Sequence, residues 1–183
     1  VDASGSAALQ RMAEAKGAVE LILTDCYVRR DRIALISFRG RKAEVLLPPT
    51  RSLQRARRSL ADLPGGGGTP LGAAIDQAAL IADQVRRGGG KPLLVFLTDG
   101  RGNIARDGTA DRAAALRDAG EAARALRVQG FRAMVIDISA TPSDAARQLA
   151  GNMAATYLPL PHADASRISR SVSTAMKAGG TSA

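Results

Sequence analysis

The stretch that decides the fold is PLLVFLTDG, residues 92–100. Its apolar run, 92–97, is short, unbroken and rich in branched side chains, and it halts at Thr-Asp-Gly. That reads as a buried strand ending in a polar turn. On its C-terminal side come an Ala/Arg-rich helix over 112–128 and a second strand, RAMVID (132–137). A short helix near 143–149, a final strand ATYLPL (155–160) and a last helix near 166–177 complete that half. On its N-terminal side a helix over 70–87 follows the loop PGGGGTP, with Pro70 in its first turn, where a missing N–H costs nothing. A helix over 52–63 precedes that loop.

Two further strands, RIALISF (32–38) and AEVLLP (43–48), are joined by a loop too short for a parallel crossover, so they pair antiparallel. Pro48-Pro49 is expected to close the second. A helix over 7–27 places Leu9, Met12, Ala13, Val19, Ile22, Leu23 and Cys26 on one buried face. Before it, a first strand ends at Asp2. Strands alternating with helices predict an α/β fold: a doubly wound, mostly parallel six-stranded sheet, helices on both faces, with one antiparallel edge strand. The expected order is 3-2-1-4-5-6, with the first strand cut short at Val1. The absence of an initiator Met suggests a piece of a longer polypeptide. One domain, 1–178, is expected, followed by a mobile tail at 179–183.

Bulk composition suits a single core: 183 residues, 45% hydrophobic, but only 3% aromatic, which implies close packing of small side chains. The net charge of +9 raises nucleic acid as a partner. Basic residues spread along the chain, with almost no aromatics to stack bases, argue against it and favour acidic protein partners. Arg29/Arg30/Arg32 and Arg55/Arg57/Arg58 read as solvent-facing groups, with a second docking surface for acidic protein as the other reading. The single cysteine, Cys26, excludes an internal disulfide and reads as buried filler. The lone His162 has no catalytic partner in view. No apolar stretch is long enough to span a membrane and no signal peptide is visible, so a cytoplasmic setting is expected.

Three polar stretches fall after strands or before helices: DASGS (2–6), GGGGTP (65–70) and LTDG (97–100). In a doubly wound sheet, ligands bind beyond the C-terminal ends of the strands where strand order reverses. That rule places Asp2 beside Asp99, with Thr69 entering from the neighbouring loop. Asp2, Ser4, Ser6, Thr69 and Asp99 are all hard oxygen donors, suited to Mg²⁺ or Mn²⁺ rather than Zn²⁺. Two carboxylates and neutral hydroxyls leave the cation open to a carboxylate from another protein. Arg101 and Arg106 should border the metal and attract such an acidic segment, with Gly68 and Pro70 beside Thr69 as further partner contacts.

Competing readings are weaker. DASGS could be only a turn or helix cap. Neither glycine run is a nucleotide loop, because no Lys-Ser/Thr follows at the needed spacing. Asp2 as a phosphotransfer nucleophile lacks the second acid that such sites use, since Ser4 stands there. Asp137 also ends a strand, one strand away, and reads as a loop cap.

The D-x-S-x-S triplet at 2–6, Thr69 and TDG at 98–100, in this order, resemble the metal-ion-dependent adhesion site of von Willebrand factor A (integrin I) domains. More narrowly, ALISFRGRKAEVLLPPTRS and LADLPGGGGTPLGAAID resemble the C-terminal domain of the magnesium chelatase D subunit family. In that family an AAA+-like module and an acidic linker come first, so any ATP binding belongs to the parent complex and not to this domain. The resemblance implies that Ser4 and Ser6 bind the metal directly, and that Asp2, Thr69 and Asp99 bind it directly or through water. It implies docking to the AAA+ ATPase subunit, or alternatively to the porphyrin-binding subunit, within the enzyme that inserts Mg²⁺ into protoporphyrin IX. The domain alone would catalyse nothing. A stand-alone A domain binding another acidic ligand, or a Mg²⁺-dependent phosphohydrolase, are the alternatives.

Overall fold

The apolar run after Pro92 forms β3 (Leu93–Thr98), which pairs in parallel with β4 (Arg132–Asp137), which pairs in parallel with β5 (Thr156–Pro159). This computed structural model describes residues 8–62, 67–159, 170–172 and 174–175. Side chains alternate along these strands, and each alternate set joins a different core. Leu94, Phe96, Ala133 and Val135 pack on one face against α3 (Leu71–Arg87), α4 (Arg112–Val128) and α5 (Asp144–Met153). Leu97, Met134 and Ile136 pack on the other, against α1 (Ala8–Val28), α2 (Leu53–Ala61) and Val172 of a final helical stretch. Helices therefore cover both faces, as the unbroken apolar run requires.

Small side chains set the helix spacing. Ala74 and Ala82 of α3 and Ala119, Ala122 and Ala123 of α4 are buried in one cluster. A Cβ on Gly72 would lie 3.0 Å from the Asp118 side chain, so the two helices meet nearly backbone to backbone.

The hairpin is β1 (Ile33–Arg39) and β2 (Lys42–Thr50), antiparallel, turning at Gly40 with φ of 63°. One expectation is corrected here: Pro48-Pro49 does not close β2, which runs through both prolines to Thr50. The register shifts between Ile33 and Leu35, opposite those prolines, and again between Leu35 and Ile36. Bulges let a strand without two of its N–H donors stay paired. They also account for nine residues of β2 facing seven of β1.

Among the described residues there are five strands in two sheets, ordered β1-β2 and β3-β4-β5. These match the two flanks of the expected order. The expected first strand, ending at Val1, lies outside the described residues. Leu35 and Phe38 of β1, Leu94 and Phe96 of β3, Leu23 of α1 and Ala82 of α3 line one common space.

Local chemistry fixes the helix starts. Ser52, Asp111 and Ser143 accept from the backbone N–H three residues on, at 3.3, 3.0 and 3.4 Å. Pro70 stands one position earlier than expected, as the N-cap of α3, and α5 continues past Leu149 to Met153. Cys26 is buried as expected, and burial pushes its thiol up, which keeps it an inert packing group. No described helix is long and apolar enough to cross a membrane.

Candidate metal centre

β3 delivers its last residues into a tightly fixed turn. Thr98, fully buried, accepts from the Gly100 N–H at 3.1 Å, and Asp99 Oδ1 accepts from the Arg101 N–H at 2.9 Å. Gly100 has φ of 76°, and a Cβ there would lie 2.4 Å from Ala146 N. Only glycine lets the turn press against the first turn of α5. Asp99 is half-buried, and its Oδ2 has no hydrogen bond among the described residues.

From behind, the turn is held by a buried polar relay. Ser143 Oγ donates to the Asp99 carbonyl at 2.9 Å. The Ser143 N–H donates to Asp137 Oδ2 at 2.7 Å, and the Tyr157 hydroxyl donates to the same oxygen at 2.6 Å. Asp137 Oδ1 accepts from the Ser139 N–H at 2.9 Å. Asp137 is fully buried and does cap the loop between β4 and α5. Burial first, and then the hydrogen bond to Asp137, push the Tyr157 phenol up to about 12.

Thr69 sits on the adjoining loop, buried at the start of α3. Its N–H donates to Asn103 Oδ1 at 2.7 Å, and its carbonyl accepts from the N–H groups of Leu71, Asn103 and Ile104. Asn103 thus stitches the Thr69 loop to the loop that carries Asp99. A Cβ on Gly68 would stand 2.4 Å from Ile104 Cγ1 and 2.8 Å from the Gly40 carbonyl, so close approach fixes that glycine.

The structure therefore brings two of the five expected metal residues, Thr69 and Asp99, onto loops bonded to each other. Asp2, Ser4 and Ser6 lie outside the described residues, as does His162. Among the described residues no three His, Cys, Asp or Glu gather as a metal cluster. A centre here would need hydroxyl oxygens, as the expected donor set supposes. Thr69 and Asp99 supply one hydroxyl and one carboxylate with no thiolate or imidazole, a chemistry that fits a hard divalent cation.

The four expected partner contacts differ among themselves. Arg101 is exposed, with no carboxylate at salt-bridge distance among the described residues. Arg106 is gripped by Asp76 of α3 at 2.8 Å and by Glu121 and Asp118 of α4 at 3.1 and 3.7 Å, while its N–H donates to Asp118. It pins the loop to two helices, and its charge is balanced locally. Pro70 is buried and Gly68 half-buried, so both shape the loop more than they offer surface.

Sequence reading missed Asn103, Ser143 and Tyr157. Ser143 carries a visible signal as a helix cap, but its second bond, to Asp99, joins residues 44 apart and has none.

The chain matches the family model described as the von Willebrand factor type A domain over residues 1–101. It is 51% identical over 176 residues to the magnesium-chelatase 60 kDa subunit of Cereibacter sphaeroides, covering 96% of this chain and 32% of that protein. It is 44% identical over 178 residues to the magnesium-chelatase 67 kDa subunit of Chlorobaculum parvum, covering 92% and 29% respectively. This chain thus spans about a third of the length of these relatives. Among solved structures it resembles the conserved hypothetical protein BatB from Bacteroides thetaiotaomicron, with a TM-score of 0.71, 19% identity and 96% of each chain covered, a likeness of fold alone.

Proposed function

The chain belongs to the von Willebrand factor type A domain family, and from that premise we propose that it is the metal-dependent docking domain of a magnesium chelatase D subunit. Identity of 44 to 51% with chelatase subunits over nearly the whole chain supports the assignment to that complex. The observation that carries the docking reading is the bonded pair of loops presenting Thr69 and Asp99 at the C-terminal end of β3.

On this reading Asp2, Ser4 and Ser6 join Thr69 and Asp99 around one Mg²⁺ or Mn²⁺. The cation, when bound, supplies an electrophilic point that a carboxylate from another polypeptide completes. Asn103 ties the two loops together, Ser143 anchors the Asp99 turn to the start of α5, and exposed Arg101 draws an acidic segment toward them. The partner is the AAA+ ATPase subunit, with the porphyrin-binding subunit as a second candidate. ATP hydrolysis and Mg²⁺ insertion into protoporphyrin IX belong to the assembled complex, where the inserted ion is cargo rather than the resident cation. The setting is the cytoplasm.

Titration of the AAA+ subunit into the protein, with Mg²⁺ and then with chelator, tests this. Binding should require the cation, and Asp99→Ala and Thr69→Ala should each weaken it while the far-ultraviolet spectrum is unchanged. Equal binding under chelation ends the proposal.

A further inference from the structure

Charge is less evenly distributed than the spacing of Lys and Arg along the chain suggests. Residues 29–58 contain ten basic residues against two acids, Asp31 and Glu44, so this one segment holds +8 of the net +9. The fold gathers six of its arginines around the end of α1, the end of β2 and the outer face of α2. Arg51 Nε donates to the Arg30 carbonyl at 3.1 Å, Arg32 Nη2 to the Pro49 carbonyl at 3.4 Å, and Arg57 Nη2 to Thr24 Oγ1 at 3.3 Å. Arg55 and Arg58 project from α2 on the side away from buried Ala56 and Leu60. Among the described residues none of these six has a carboxylate at salt-bridge distance, whereas Arg29, Arg86, Arg87 and Arg106 all do.

Local structure accounts for part of this arrangement, since Arg58 stands in the last turn of α2 at the negative end of the helix dipole and Arg32, Arg51 and Arg57 bond neighbouring elements, but it leaves the cluster without acids. Arg55 occupies the first turn of α2, the positive end of the helix dipole, where no acid stands to offset it. Arg30 adopts φ of 60°, a left-handed conformation ordinarily left to Gly or Asn. Crowded like charges oppose the compact state. Beside them Tyr27 and Val28 are 58% and 76% exposed. Arginine with an exposed aromatic is the composition of protein-binding hot spots. The three Phe are buried, so Tyr27 is the one exposed aromatic of this face among the described residues, a single ring where strand-binding surfaces stack successive bases on several.

We propose that this face is a second docking surface, for a separate protein that presents a run of Asp and Glu beside an apolar residue. It is distinct from the metal centre. Arg32 adjoins the start of β1, while Gly40, just past its end, touches Gly67 and Gly68 next to Thr69. Seven residues of strand put about 20 Å between them.

Anisotropy of a fluorescein-labelled Glu peptide with one central Leu, added to the full chain in EDTA at physiological salt, tests the assignment. Arg55→Glu/Arg58→Glu should weaken binding about tenfold, and Arg117→Glu/Arg124→Glu, the same charge change on the exposed face of α4, by less than about twofold. Circular dichroism checks that both pairs fold. Equal losses would mean that net charge alone binds the peptide, and would overturn the surface. So would no binding, or tighter patch-dependent binding of a stem-loop RNA or an anionic vesicle. Because chelator is present throughout, failure here leaves the metal-dependent docking untouched, and the reverse holds as well.

Discussion

Replacing Asp137 by Asn tests whether the relay behind Asp99 holds the site. The carboxylate is fully buried and accepts three hydrogen bonds, from Ser139 N–H, Ser143 N–H and the Tyr157 hydroxyl. Asparagine keeps the shape but turns one acceptor oxygen into a donor. With the amide NH₂ toward Ser139, the Ser139 N–H loses its partner; turned the other way, the Ser143 N–H does, while the Tyr157 hydroxyl can rotate to accept from the new NH₂. Either arrangement orphans one buried backbone donor, at about 1–3 kcal/mol. The two surviving bonds lose their charge assistance, about 1 kcal/mol each. Relief from burying a charge returns part of this, leaving a loss of about 2–4 kcal/mol. Urea unfolding followed by circular dichroism reads it directly: with a slope of about 2 kcal/mol per M, the midpoint falls by about 1–2 M. Hydrogen exchange should quicken at Ser139, Ser143 and Gly100 before it does in β4. A loss under about 0.5 kcal/mol, with Gly100 exchange unchanged, would refute the reasoning.

Gly100→Ala forces a Cβ to 2.4 Å from Ala146 N at a positive φ, so it should cost about 3 kcal/mol or more in the same unfolding assay. Tyr157 gives a pH prediction. Its folded pKa, about 12, lies above the ordinary 10.0, so its stabilisation is intact below pH 10 and is lost as pH rises through 12. Alkaline unfolding should steepen across that window in the parent and flatten in Tyr157→Phe. Arg106→Met leaves Asp76, Asp118 and Glu121 facing one another without their cation. Because these groups are largely solvated, the global cost should be about 1 kcal/mol, but amide exchange in residues 101–109 should quicken markedly. Asn103→Ala removes the acceptor of the Thr69 N–H and should weaken cation-dependent docking as much as Thr69→Ala does.

What could be read in advance depended on the range of the signal. The strand 93–98, the α4 helix and the hairpin announce themselves through short-range pattern: an apolar run, a long Ala- and Arg-rich stretch, a loop too brief for a crossover. Pro48-Pro49 misled because a local rule, that proline ends strands, gave way to a bulged pairing with β1 that only the partner strand reveals. Thr69 and Asp99 could be named from residue type and their place after or before an element. Asn103 and Tyr157 could not, since their partners lie 34 and 20 residues away.

Sequence by itself determined the element types and the chemical character of the oxygen donors, because each depends on a residue and its near neighbours. Tertiary structure alone decided which loops share bonds, that Arg106 is neutralised while Arg55 and Arg58 are not, and that Asp137 reaches Asp99 through Ser143. The reason is physical. Backbone propensity acts over a turn or two, whereas a buried carboxylate or guanidinium finds its partner only once the chain has closed long loops to bring that partner near.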